Sequence, residues 1–88
     1  MSVNPDEIIG GCIEILERIL SDDSVPRNIR RVIENIKMIL LKKDNSSSVR
    51  AAMAISKLDE ISNDPNMPIH IRTMVWNLAG QLERIPVD

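Results

Sequence analysis

The chain is predicted to be all-α, a four-helix bundle built from two duplicated helical hairpins. Three observations lead there. Apolar residues recur at three- and four-residue steps almost throughout, the period of a helix with one buried face. Proline-containing turn segments interrupt that pattern at intervals. And "SDDSVPRNIRRVIENI" at 21–36 is nearly said again as "NDPNMPIHIRTMVWNL" at 63–78. No alternating, strand-like pattern accompanies them.

The first helix is expected over roughly 5–21. Asn4-Pro5-Asp6-Glu7 supplies a capping side chain, a proline in the first turn and acids facing the positive end of the helix dipole. Ile9, Cys12, Ile13, Leu16, Ile19 and Leu20 follow as its apolar stripe, and "SDDSVP" stops it, because the residue before a proline avoids the α region. The second helix is expected over roughly 26–43, with Ile29, Val32, Ile33, Ile36, Ile39 and Leu40 inward and Lys42 and Lys43 suiting its negative C-terminal end. Ser46 to Ser48 offer caps for a third, roughly 47–62, whose Ala51 and Ala54 would let a neighbour approach closely. Pro68 opens a fourth, roughly 67–85, with Ile71, Met74, Val75, Leu78, Leu82 and Ile85 on one face before Pro86 ends it.

A shift of 42 residues aligns Ile13, Leu16, Ile19, Asp22, Pro26, Ile29, Arg30, Asn35 and Leu40 with identical residues, without a gap. Most are core positions that two unrelated hairpins could share, but the Asp, Pro, Arg and Asn matches are harder to dismiss. An internal duplication is expected, of hairpins over about 5–43 and 47–85. The period and the order Asp, turn, Arg resemble HEAT-type repeats, yet such solenoids need about three stacked units. Two hairpins must instead close on each other, most simply as one bundle domain over 1–88 with a pseudo-twofold axis.

At 88 residues there is room for one domain, and 43% hydrophobic with 27% charged residues is an ordinary globular balance. Trp76 is the only aromatic residue, Cys12 the only cysteine and His70 the only histidine, so an intrachain disulfide and a single-chain Cys/His zinc site are excluded by count. No apolar run approaches the roughly 20 residues of a membrane span, and the polar opening "MSVNPDE" does not read as a leader. A cytoplasmic protein is expected. The net charge of −2 is unevenly spread: residues 27–50 carry +5 and the rest −7. The molecule should be dipolar.

At "VPRNIRR" and "PIHIRTMVWNLAGQLERI" the chain resembles the archaeal uncharacterised protein family numbered 0147, over almost its whole length. That resemblance implies a compact four-helix bundle in an archaeal cytoplasm. It implies no activity, since the family brings no catalytic motif.

Asp22 with Arg30, and Asp64 with Arg72, are expected to clamp the turns, within a hairpin or across the pseudo-twofold. Arg27, Arg30 and Arg31 leave the Ile stripe and are candidate phosphate contacts, although no aromatics interleave for base stacking and Glu34 lies at helical spacing from two of them. Trp76 lies about 140° from Ile71 around the fourth helix, off the core stripe and on the side of Ile69 and Gly80. It could anchor an interface, pack internally on the chain termini or cover the Arg72 stem. Met38, Leu41, Val49 and Met53 also fall outside the stripes and join Trp76 as candidate protein-contact residues. Asn35 and Asn77 are expected as a buried polar pair, Gly10-Gly11 as a point of close helix packing, and Cys12 as a small buried hydrophobe.

An enzyme is not expected. His70 has no evident Ser or Cys partner, no inward Glu-x-x-His pairs exist for a di-iron bundle, and no cofactor or small-molecule substrate is implied. The expected role is protein–protein interaction or self-association, or a structural module. The alternative is a nucleic-acid or ribonucleoprotein-associated factor using the basic second helix.

Overall fold

The structure is a computed structural model that describes residues 4–87. The expectation concerning a leader falls partly on residues 1–3, outside the described residues. Four helices occupy the chain: α1 (Pro5–Leu20), α2 (Arg27–Leu41), α3 (Ser47–Asp59) and α4 (Ile69–Glu83), with no strand among the described residues. Each packs on its neighbours in the ring α1–α2–α3–α4. At one end the α1–α2 turn meets the start of α4 and the α3–α4 turn meets the start of α2, and the α2–α3 connection lies at the other.

The helices start as the sequence dictates. The Asn4 side chain accepts a hydrogen bond from the Asp6 backbone N–H at 3.0 Å, and Ser46 Oγ accepts from that of Val49. The starts of α2 and α4 and the end of α2 fall short of expectation. Pro26 and Pro68 stand outside α2 and α4 in extended conformation, since a proline ψ near 150° cannot continue a helix backward. Lys42 is likewise extended, which stops α2 at Leu41. Past Asp59 the backbone tightens to three-residue bonds, Glu60 N–H to Lys57 O and Ile61 N–H to Leu58 O, turning Ile61 into the core.

The core is aliphatic and repeats itself. Ile9, Cys12, Leu16, Ile19, Val25, Ile29, Ile33, Ile36 and Leu40 are buried, and so is every residue 42 positions on, from Ala51 to Leu82. Ile8 is buried as well, but its counterpart is Arg50, 7% exposed and the one buried charged residue among those described.

Arg50 belongs to a set of three. A helix leaves its last four carbonyls without intrahelical partners, and a cation there also suits the dipole. Arg30 donates from Nη1 to Leu20 O and from Nη2 to Asp22 O (3.0 Å); Arg72 donates from Nη1 to Ser62 O and from Nη2 to Asp64 O (2.8 Å). Arg50 donates from Nη1 to Leu40 O (2.7 Å) and from Nε to Asn45 O (3.1 Å). In all three, one donor reaches the carbonyl ten residues back. One arginine therefore closes each inter-helix connection.

The two aspartates do a different job from their arginines. Arg30 and Arg72 bond their backbone oxygens, and the carboxylates are free to look elsewhere. Asp22 Oδ1 accepts from Ser24 N–H and Asp64 Oδ1 from Asn66 N–H, each at 2.8 Å, the local turn that Asp favours. The second oxygens cross to the other hairpin: Asp22 Oδ2 lies 2.7 Å from His70 Nε2, and Asp64 Oδ2 accepts from Asn28 Nδ2 at 2.8 Å. Asn28 and His70 are themselves 42 residues apart, in the first turns of α2 and α4. Neither of those helices has an acid of its own in its first turn, so each hairpin brings a carboxylate to the positive end of the other's second helix.

Two outcomes follow. Arg50→Ala and Arg72→Ala each strand two carbonyls and should lower unfolding free energy by about 2–4 kcal/mol, or roughly 8 °C or more in Tm. Arg84→Ala, on the surface beside Gln81, should stay within about 0.5 kcal/mol; thermal melts of the three check this. The second concerns acid. Hydrogen bonds from Ser24, then from His70, lower the Asp22 carboxyl from 3.8 to about 2, and those from Asn66 and Asn28 lower Asp64. A group depressed on folding stabilises fully above its unfolded value and loses that contribution as pH falls through the folded one. Urea midpoints should hold above about pH 4 and fall toward pH 2, with a shallower fall in Asp22→Asn.

Candidate interaction surface

Helical geometry turns a defined set of large apolar side chains outward. Met38 stands two residues from both Ile36 and Leu40, about 200° around α2 from that buried stripe, and is 64% exposed. Leu41, Val49 and Met53 are exposed for the same reason. Trp76 on α4 is also 64% exposed. Ile69, which the helical wheel sets beside Trp76 without marking it as a contact residue, is 83% exposed, more than the tryptophan. Ile69, Thr73, Trp76 and Gly80 form an outward row on α4.

Met38 and Met53 share a groove of about 300 Å³ between α2 and α3, lined also by Asn35, Ile39, Lys42, Asp44 and Asn45. Its shape depends on the connection that Arg50 holds. The Arg50 guanidinium fixes the Asn45 carbonyl, and the Asn45 side chain reaches the Met53 sulfur at 3.9 Å. In the sequence Arg50 counts only toward the basic charge of residues 27–50. The signal that could have found it is its spacing from Leu40, which equals that of Arg30 from Leu20.

Charge is divided across the bundle. On α1, Asp6, Glu7, Glu14 and Glu17 outweigh Arg18 to give −3, and on α4 Arg72 and Glu83 cancel. On α2, Arg27, Arg30, Arg31 and Lys37 outweigh Glu34 to give +3, and α3 adds +1 from Arg50 and Lys57 against Asp59. The ring order puts α1 and α4 on one side and α2 and α3 on the other, so the groove lies on the positive side.

Several expected sites are rearranged. Arg30 is half-buried and each of its Nη atoms donates to a turn carbonyl, whereas Arg27 and Arg31 are exposed. Glu34 makes no ion pair with Arg30 or Arg31; Glu17 on α1 instead meets Lys37 at 3.5 Å, and Lys42 lies 4.0 Å from Asp44. Asn35 and Asn77 are exposed rather than a buried pair, because each sits 100° from the inward Ile36 or Leu78. Gly10 and Gly11 face solvent, and a Cβ on either would meet nothing within 4 Å, so no helix packs closely there. Cys12 is fully buried, and desolvation pushes its thiol up to about 11, away from nucleophilic chemistry. Among the described residues no three His, Cys, Asp or Glu side chains are grouped to hold a metal ion, and no helix is long and apolar enough to cross a membrane.

Relatives share this architecture. A solved structure described as an unknown-function protein, MMP1188, superposes with a TM-score of 0.92 at 41% identity, covering 99% of both chains. A second, from Thermoplasma acidophilum and described as a protein from uncharacterized family UPF0147, gives 0.85 at 32% identity over 92% of this chain and 95% of that one. In sequence, a UPF0147 protein of Methanosarcina mazei is 53% identical over 99% of this chain and 94% of its own length. One from Methanothermobacter thermautotrophicus is 58% identical over 82% of this chain and 71% of its own. The model of the uncharacterised protein family UPF0147 matches residues 1–85, and the chain belongs to that family.

Proposed function

We propose that the protein is a non-catalytic cytoplasmic interaction module whose docking surface is the α2–α3 groove and its apolar surroundings. One observation carries the reading: Met38, Leu41, Val49 and Met53 are exposed on the two helices that frame a groove held in shape by the Arg50 connection. Exposed apolar groups gathered around a groove, with polar residues at the edge, are the arrangement of a protein-binding site. Met suits such surfaces because its unbranched thioether adapts to a partner's shape. Every side chain concerned is outside the core, so replacing it costs the fold little.

A second reading rests on Arg27 and Arg31, exposed one helical turn apart on α2 and without an ion pair among the described residues. Such a pair can track phosphates through sequence-independent, salt-sensitive attraction. Arg30, committed to the turn, takes no part in it.

Native pull-downs separate the two. With a tagged bait, Met38→Glu/Met53→Glu should lose most of the captured partner while its far-UV signal and Tm stay those of the wild type. Arg27→Ala/Arg31→Ala and nuclease treatment should leave capture intact. Capture abolished by nuclease and by the arginine variant, yet kept by the methionine variant, would transfer the function to nucleic acid.

A further inference from the structure

We propose that the α2–α3 groove accepts the Trp76 row of α4 from a second copy of this chain, so that copies join front to back. The inference rests on the groove being a protein-docking surface and adds what occupies it.

Three observations point to this occupant. The first is size. The groove, at about 300 Å³, sits at the lower limit of ligand pockets, roughly 300–1,000 Å³. A groove of that size has room for one large side chain. The chain has a single aromatic side chain to offer, and it is exposed on another helix, outside the residues that line the groove. The second is chemistry. Two thioethers, Met38 and Met53, line the groove, and sulfur makes favourable contacts with aromatic rings. Lys42 at the edge supplies a cation of the kind that sits over an indole face. Beside Trp76, Ile69 adds an apolar contact on one side and Gly80 leaves the helix surface bare on the other, so the row can approach a neighbour's α2 and α3.

The third is charge. The α1/α4 side carries −3, all of it on α1 beside the neutral α4, and the α2/α3 side +4, one of which is the buried Arg50. A symmetric dimer through the groove would set two positive sides against each other, whereas front-to-back contact sets positive against negative. A contact between unlike surfaces leaves one groove and one Trp76 row free on every assembly, so growth continues with concentration unless a ring closes.

Two half-blocked variants test this. Trp76→Glu keeps the groove and loses the row; Met38→Glu/Met53→Glu keeps the row and loses the groove. Circular dichroism first establishes that both are folded. In sedimentation velocity at low salt, the wild type should pass from monomer to larger species as concentration rises, while each variant alone stays monomeric. An equimolar mixture should form a heterodimer and stop there. The mixture contains one tryptophan, that of the methionine variant, and its emission should shift to the blue on mixing. A wild type monomeric at every concentration would overturn the proposal. So would self-association that survives in either variant alone, or variants that remain monomeric together. Should self-association fail while Met38→Glu/Met53→Glu still loses its captured partner, the groove binds a different protein and only the second copy is ruled out.

Discussion

Everything in this bundle hangs on three guanidinium groups: Arg30 and Arg50 each span the end of one helix and the connection that follows, and Arg72 holds two carbonyls of the connection after α3. A bundle of four short helices has three places where the chain must reverse, and at each the preceding helix presents carbonyls that have lost their partners. Water can satisfy them on the outside, but a reversal tight enough to bring the next helix back onto the core turns some of them inward. A planar fork with several fixed donors can hold two such carbonyls at once, which an ammonium group on a flexible stem does poorly. Arg30, Arg50 and Arg72 do this with one shared reach of ten residues.

The aspartates add the second level of order. With the arginines occupied by backbone oxygens, Asp22 and Asp64 organise their own turns and reach across to His70 and Asn28. The two hairpins are thus latched at one end by a reciprocal pair of contacts, and α2 and α4 receive in trans the negative charge that their own first turns lack. At the other end the described residues form no such latch. There Arg50 governs the geometry, and the exposed Met38–Met53 groove lies beside it. A latched end and an exposed groove at the other are consequences of how the same clamp is used with and without an aspartate that crosses to the other hairpin.

Much of this is legible in the amino-acid order alone. The helical period, the prolines and the 42-residue repetition locate all four helices, and the helical wheel picks out Met38, Leu41, Val49, Met53 and Trp76 as outward. What cannot be read that way is which atoms meet. Spacing suggests an Asp–Arg clamp, but nothing in a sequence distinguishes a carboxylate from a backbone carbonyl as the acceptor. Arg50 does not stand out because its connection, "KKDNSSSV", shares neither the Asp nor the Pro arrangement that flags the other two. The crossing contacts are hidden because Asn28 and His70 are equivalent in place and different in chemistry. Asn35, Asn77, Gly10 and Gly11 miss their expected places by a single helical step, and one residue is 100° of rotation. For such positions at the margin of a stripe, the packing of neighbours decides, and periodicity alone cannot.

The most direct test of the clamp is to watch the guanidinium groups themselves. Side-chain NMR of uniformly labelled protein would follow the Nε–H and Nη–H signals of all seven arginines. If the three clamps are formed, Arg30, Arg50 and Arg72 will show slowed Nη rotation and protected side-chain protons, while Arg18, Arg27, Arg31 and Arg84 show averaged, rapidly exchanging ones. Uniform averaging across the whole set would contradict the account.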